Sequence, residues 1–122
     1  MIDVRIDISK NLASVTYRNR VEPDDARRGA EQLEARLPEL RAGFRLLTDL
    51  SELDAMDVAC APYIETMMDL CNRQGVELVV RVIPDPKKDI GLNIMSSFHY
   101  RRDLRILTFQ TLQEASAALE PS

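Results

Sequence analysis

The sequence contains few of the residues that most metal, redox and nucleotide sites require. Its 122 residues include one histidine, two cysteines, four glycines and no tryptophan. The single histidine, His99, excludes zinc motifs built on two histidines, and the distant cysteines exclude a zinc ribbon or a C-x-x-C redox pair. The glycines are too scattered for a G-x-G-x-x-G or Walker A loop. We therefore expect no metal, no cofactor and no catalytic residues.

Long apolar runs and an export signal are also missing. No stretch approaches the about 18 apolar residues that a membrane span needs. The opening "MIDVRIDISK" alternates charged and apolar residues and does not resemble a signal peptide. Cys60 and Cys71 are predicted on one helix about 16 Å apart, whereas a disulfide needs Cα atoms within about 7 Å. Free thiols and no export signal predict a cytoplasmic protein without membrane insertion.

Basic residues are outnumbered by acidic ones. The chain has 16 Lys and Arg against 20 Asp and Glu, which gives a formal net charge of −4. This is the wrong sign for general nucleic-acid binding, because that affinity depends on neutralising phosphates. The length fits one domain over residues 1–122. We expect a protein partner and no nucleic acid.

Apolar and polar residues alternate at the start of the chain, and helical patterns separate the later strands. Ile2, Val4, Ile6 and Ile8 share one face, and "ASVTY" alternates again, so the first two strands are predicted to form an antiparallel hairpin. The stretches "FRLLTDL", "VELVVRVI" and "LRILTF" predict three further strands, of which "VELVVRVI" should be central and covered on both faces. The order ββ-α-β-α-β-α-β-α predicts an α/β fold, with a mostly parallel sheet flanked by helices.

Four helices are predicted from apolar residues at helical spacing. Pro23 suits a first helical position, Gly75 a helix end and Thr111 an N-cap. The residues expected to face the core are Ala26, Ala30, Leu33 and Leu37, then Ile64, Met67, Met68 and Cys71, then Ile90, Ile94, Met95 and Phe98, and finally Leu112, Ala115 and Leu119.

Two predicted loops follow neighbouring parallel strands. "SELDAMD" comes after the third strand and "PDPKKD" after the fourth, and the carboxyl ends of parallel strands share one edge of a sheet. We expect these loops to bring Ser51, Asp54, Asp57, Lys87 and Lys88 together. "HYRRD" precedes a strand and is therefore expected at the opposite edge.

The frame "LLTDLSELDAMD", an apolar helix, "VVRVI", another helix and a last short strand together resemble the STAS/SpoIIAA-like superfamily of anti-sigma factor antagonists and related modules. In phosphorylatable members of that family an aspartate precedes two serines and a glycine, and the first serine accepts phosphate at a helix N-terminus. Asp57 matches the aspartate, but Val58 stands in place of the serine. The resemblance implies a SpoIIAA-like fold and a regulatory interaction module, without the phosphate switch.

The main functional hypothesis is therefore a non-catalytic module that docks a protein partner. One alternative is binding of a small ligand or lipid, as in related domains, with Met67, Met68, Met95 and Phe98 lining a pocket. Another is carboxylate or Mg²⁺ chemistry at Asp49, Asp54 and Asp57 with Lys87 or Lys88. The edge of the first hairpin suggests a homodimer. The partner-binding residues are predicted to be Ser51, Asp54, Met56, Asp57, Val58, Lys87 and Lys88, with an anion patch at His99, Arg101 and Arg102.

Overall fold

One five-stranded sheet carries four helices. The computed structural model describes residues 1–88 and 91–120. The elements are β1 (Ile2–Asp7), β2 (Leu12–Val21), α1 (Pro23–Arg36), β3 (Arg45–Met56), α2 (Ala61–Gln74), β4 (Leu78–Val82), α3 (Leu92–His99), β5 (Arg105–Phe109) and α4 (Leu112–Leu119). The strand order is β1-β2-β3-β4-β5, with β1 antiparallel to β2 and every other neighbouring pair parallel. This confirms the predicted α/β class, the hairpin and the mostly parallel sheet.

The helices cover the two faces of the sheet unequally. Residues of α1, α2 and α3 share the main core with one face, whereas Ala115 and Leu119 of α4 pack with Val80 and Val82 on the other. β4 is therefore covered on both faces as predicted, although it lies between β3 and β5 and β3 occupies the centre.

Local sequence signals set several helix ends. Pro23 begins α1, where Glu22 and Asp25 form a reciprocal capping box. Gly75 ends α2 with φ 90°, a left-handed conformation that glycine adopts without strain. The Thr111 side chain accepts a hydrogen bond from the Glu114 amide at the start of α4. Each of these ends lies where the sequence predicted it.

β3 is longer than the sequence pattern indicated, so the prediction of a "SELDAMD" loop was wrong. Residues 51–56 continue the strand beside β2. The pairing slips twice, once between Asp49 and Glu52 and again between Leu53 and Ala55. Each slip is a β-bulge, which inserts an extra residue into β3 and breaks the period-two alternation. The bulges bend the strand while its ladder continues to Met56.

Three side chains expected to face the core, Ile94, Phe98 and Leu112, are exposed, and so is Ile8 at the end of the predicted apolar strand face. In α3 the buried positions are Leu92, Met95 and Ser96, so the helix is rotated relative to the predicted face. Ile90, also expected inside, lies outside the described residues. The other predicted core residues of α1, α2 and α4 are buried.

Both cysteines are buried free thiols. Cys71 lies in α2, but Cys60 belongs to the short 3₁₀ turn Val58–Cys60 just before α2 and not to the helix itself. In the part of the chain that the structure describes, no helix is long and apolar enough to cross a membrane.

Candidate functional site

The junction between β3 and α2 is built around Asp57. Its amide donates to the Val21 carbonyl oxygen at 3.1 Å, which ties the end of β3 to the end of β2. Its Oδ1 accepts from the Ala59 amide at 2.8 Å, so the carboxylate caps the 3₁₀ turn Val58–Cys60. The structure therefore gives Asp57 a capping role.

Val58 is the most prominent apolar side chain at this junction. It is 90% exposed, and the turn that carries it leads directly into α2. The valine side chain has no hydroxyl, so it cannot accept a phosphoryl group. Val58 is therefore an apolar side chain that is exposed to solvent just before the N-terminus of α2.

Cys60 follows Val58 but is not presented in the same way. Its side chain is fully buried, and its Sγ lies 3.6 Å from the Val21 carbonyl oxygen. Burial raises the pKa of the Cys60 thiol, and the negative charge of Asp57 raises it further. A buried neutral thiol is suited to packing and not to nucleophilic attack.

An open groove of about 220 Å³ lies beside Val58. We call it the Val58 groove; its lining residues are Met56, Asp57, Val58, Ala61, Ile64 and Met95. Five of the six are apolar, and they come from β3, the 3₁₀ turn, α2 and α3. The groove therefore joins the end of β3 to the packing seam between α2 and α3.

The outer face of α3 carries two further exposed apolar side chains. Ile94 is 69% exposed and Phe98 is 80% exposed. They are four residues apart on the helix and therefore lie on one side of it. Met95, the residue after Ile94, lines the Val58 groove, so α3 contributes side chains to both surfaces. We define the docking face as the Val58 groove together with Ile94 and Phe98.

A buried arginine holds α3 on the sheet. Arg81 of β4 is 1% exposed and donates from its guanidinium to Asn93 Oδ1 at 3.2 Å and to Ser96 Oγ. Ser96 Oγ in turn donates to the Leu92 carbonyl oxygen at 2.7 Å. These polar bonds explain why Ser96 faces inward, and they help to turn Ile94 and Phe98 outward.

His99 fastens the C-terminal end of α3 to α2. Its Nδ1 lies 2.8 Å from Asp69 Oδ1 and its Nε2 lies 3.0 Å from Glu65 Oε2. The hydrogen bond to Asp69, supported by its charge and by Glu65, raises the pKa of His99 above the ordinary value of 6.5. The imidazolium form donates to both carboxylates at once.

The predicted partner-binding residues do not form one cluster. Met56, Asp57 and Val58 share the Val58 groove. Ser51 and Asp54 are exposed on the bulged part of β3, and Lys87 is exposed in the turn after β4, none of them lining the groove. The side chain of Lys88 lies outside what the structure describes.

The carboxylates of the proposed Mg²⁺ site have different surroundings. Asp49 is buried, and its Oδ1 accepts from the Ser51 amide at 2.9 Å. Asp57 caps the turn, and Asp54 is exposed. Within residues 1–88 and 91–120, no three side chains of His, Cys, Asp or Glu are grouped so that they could hold a metal ion.

The methionines of the proposed ligand pocket lie mainly in the core. Met67 and Met68 are buried between α2 and the sheet, where the enclosed space is about 20 Å³. That volume holds about one water molecule. Met95 lines the Val58 groove, and Phe98 faces solvent. A small ligand placed between Met67, Met68 and the sheet would therefore have to separate α2 from the sheet.

The predicted anion patch is divided. Arg101 Nε lies 3.2 Å from Asp103 Oδ1, and both side chains are exposed. Arg101 and Arg102 line an open groove with Ser97 and Tyr100. The ring of His99 instead contacts the two carboxylates of α2. Neither the exposed face of α3 nor these carboxylate contacts were predicted from the sequence. The four-residue spacings, from Ile94 to Phe98 and from Glu65 to Asp69, are nevertheless present in it.

Comparisons with known proteins identify the fold. Neither protein-family models nor curated proteins match this sequence. Among solved structures, an uncharacterised protein of the DUF3478 family with a SpoIIAA-like fold, from Shewanella loihica PV-4, has a TM-score of 0.72 at 15% identity, covering 98% of this chain and 94% of the other. The anti-sigma factor antagonist SpoIIAA in its unphosphorylated form has a TM-score of 0.65 at 7% identity, with coverages of 97% and 96%.

A third solved structure agrees with these two. An anti-sigma factor antagonist from Mycobacterium paratuberculosis has a TM-score of 0.61 at 14% identity, with coverages of 98% and 94%. The chain therefore has the SpoIIAA-like fold over nearly its whole length, which confirms the expectation drawn from the "LLTDLSELDAMD" frame. At these identities the likeness concerns the fold alone.

Proposed function

We propose that this protein is a non-catalytic regulatory module that binds a protein partner through the docking face. The observation that carries the proposal is the 90% exposure of Val58 at the head of α2, beside an apolar groove. Interface centres are typically apolar and depleted of charge, with polar residues around them. The Val58 groove has this composition, and Asp57 lies at its margin.

The fold supports a regulatory role by analogy. Two of the similar structures are anti-sigma factor antagonists, and one is SpoIIAA in its unphosphorylated form. In the present chain Val58 stands where the resemblance places a phosphoacceptor serine. The proposed module therefore binds its partner without a phosphate switch at residue 58. A cytoplasmic location is part of the same proposal.

Self-association through β1 is a separate proposal. β1 lies at the end of the strand order, so its outer edge is not covered by another strand of this sheet. Such edges pair readily with a second copy. Light scattering distinguishes a dimer from a monomer.

The proposed function is tested by recovering partners from the native host. Tagged wild type, Val58→Asp and Ile8→Asp are used as baits in parallel. Ile8 is the matched control because it is also exposed, at 56%, but lies after β1 in the hairpin turn. Val58 is a better probe than Met56, which packs against the core. We expect Val58→Asp to lose a partner that Ile8→Asp keeps; equal recovery of every protein by all three baits contradicts the proposal.

A further inference from the structure

The outer edge of β5 is open to pairing. β5 is the last strand of the sheet, and no described strand lies beyond it. Its pairing with β4 runs from Arg105 to Phe109 without a bulge. The strand contains no proline, and Arg105 is its one charged residue. Bulges, prolines and charged side chains are the usual features that keep an edge strand from pairing, and β5 has few of them.

The backbone of β5 directs alternate residues to this edge. The Phe109 carbonyl oxygen accepts from the amide of Ile83, the residue after β4, at 2.8 Å. Because the N–H and C=O groups of successive strand residues point to opposite sides, those of Ile106 and Thr108 point away from β4. The Leu104 amide, next in this series, donates to the Arg101 carbonyl oxygen at 3.2 Å. The backbone groups of Ile106 and Thr108 therefore face the open edge.

An open groove of about 480 Å³ lies between α3 and this edge. α3 contributes Asn93, Ser97 and Tyr100, which lie on one side of the helix because they are three and four residues apart. On the strand side the lining includes Ile106, whose side chain packs against the main core. Since side chains alternate between the faces of a sheet, a strand added to β5 would place every second side chain in this groove.

The described residues that line this groove include two arginines and no acidic residue. The arginines, Arg101 and Arg102, belong to the segment that joins α3 to β5. Arg101 pairs with Asp103, whose side chain is 85% exposed and does not line the groove, whereas Arg102 forms no ion pair with a described carboxylate. The α2 carboxylates bonded to His99 do not line the groove either. The groove is therefore positively charged at the end where β5 begins.

We propose that a partner protein adds an extended acidic segment to β5 as a further strand of the sheet. Its backbone pairs with the N–H and C=O groups of Ile106 and Thr108, and its carboxylates face Arg101 and Arg102. Strand addition to an exposed sheet edge is a recurrent mode of peptide recognition, in which backbone bonds give affinity and alternate side chains give specificity. A free anion would meet the arginines but leave the strand edge unused. This site is separate from the docking face and goes beyond the proposed function.

The test uses fluorescent peptides of about six residues, which extend over about 20 Å. The glutamate peptide alternates glutamate with threonine, and the lysine peptide has lysine in place of each glutamate. Two further versions of the glutamate peptide are N-methylated at alternate amides, one at the glutamates and the other at the threonines. Fluorescence anisotropy measures binding to wild type and to Thr108→Pro, Thr108→Ala, Arg105→Gln, Val58→Asp and the double variant Arg101→Gln/Arg102→Gln. Circular dichroism checks that every variant is folded.

Thr108→Pro is the main probe, because it removes an outward amide and leaves the bonds to β4 in place. Thr108→Ala keeps that amide and is its matched control. We expect the glutamate peptide to bind wild type, Thr108→Ala, Arg105→Gln and Val58→Asp equally. Thr108→Pro should weaken its binding about tenfold, the effect of about one lost hydrogen bond. The double arginine variant should weaken it about threefold, and the lysine peptide should bind about tenfold more weakly than the glutamate peptide.

The N-methylated peptides test strand pairing on wild type alone, so their result does not depend on the folding of any variant. One of them should bind like the unmodified peptide and the other should fail to bind, because only alternate amides of an added strand face β5. No binding of the glutamate peptide, equal binding of the lysine peptide, equal binding of both N-methylated peptides, or unchanged binding to Thr108→Pro overturns the inference.

The Val58→Asp variant keeps this inference distinct from the proposed function. Loss of peptide binding in Val58→Asp would place the peptide on the docking face and would also overturn the inference. The pull-down from the native host tests the other surface, so either proposal can fail while the other stands.

Discussion

His99 Nδ1 lies 2.8 Å from Asp69 Oδ1, and the same imidazole reaches Glu65 through its other nitrogen. One side chain therefore joins the end of α3 to two successive turns of α2. The bridge directly follows Phe98, the exposed aromatic residue of the docking face. We therefore expect the packing of α2 against α3 to depend on pH.

The stabilising effect of His99 should decrease as pH rises. Its pKa is raised in the folded state, so the folded protein binds this proton more tightly than the unfolded chain does. The contribution is full below the ordinary pKa of 6.5 and is lost as pH rises through the folded-state pKa. NMR titration of the imidazole should give a pKa above 6.5 in wild type and a lower one in Asp69→Asn. A wild-type pKa at or below 6.5 contradicts this prediction.

Val58→Asp should leave the free energy of unfolding within about 0.5 kcal/mol of wild type, because the Val58 side chain is 90% exposed and has little buried contact to lose. Ile64, which lines the same groove, is only 3% exposed. Ile64→Ala should cost about 3 kcal/mol through lost burial and the cavity left behind. Urea denaturation measures both. A large loss in Val58→Asp would mean that residue 58 supports the fold, and the pull-down would then need another probe.

Asp57→Ala should destabilise the protein by about 1 kcal/mol, because the Ala59 amide loses its side-chain acceptor. Asp57→Asn keeps an oxygen acceptor and should recover most of this loss. Urea denaturation of the two variants under the same conditions separates capping from charge. Equal destabilisation by Asn and Ala would assign the effect to the negative charge and would exclude simple capping.

Arg81→Ala should cost about 3 kcal/mol or more, because it leaves a cavity and deprives Ser96 of its buried guanidinium donor. Asn93→Ala removes the side-chain oxygen that accepts from the Arg81 guanidinium and should cost about 1 kcal/mol. Amide hydrogen exchange should show lost protection in α3 for Arg81→Ala before the rest of the sheet opens. Uniform loss of protection across the protein would show that Arg81 does not act mainly through α3.

The sequence predicted the elements that are marked by a local residue pattern or by a single residue at a helix end. Strict alternation marked β1 and β2, Gly75 marked the end of α2, and Thr111 marked the start of α4. Each of these signals depends on residues that are close in sequence. The parallel order followed from the alternation of strands with helices.

Two features were not predictable because they depend on distant residues. Residues 51–56 pair with β2 through two bulges, which removed the alternation that would have marked a strand. In α3, Arg81 and the α2 carboxylates draw Ser96 and His99 inward, which places Ile94 and Phe98 outside. Hydrophobicity alone predicted an inward face with Ile94, Met95 and Phe98, of which only Met95 is buried. The exposed part of the docking face arises from these buried polar contacts.

The central claim is that the partner binds the docking face. The most direct measurement is a ¹H–¹⁵N NMR titration of the protein with the partner that wild type retains and Val58→Asp loses. We predict that the largest shift changes fall on Val58, Ala61, Ile94 and Phe98, with little change at the hairpin turn around Ile8. Shift changes concentrated at the hairpin turn or around Arg101 and Arg102, with none at Val58 and Phe98, would contradict the account.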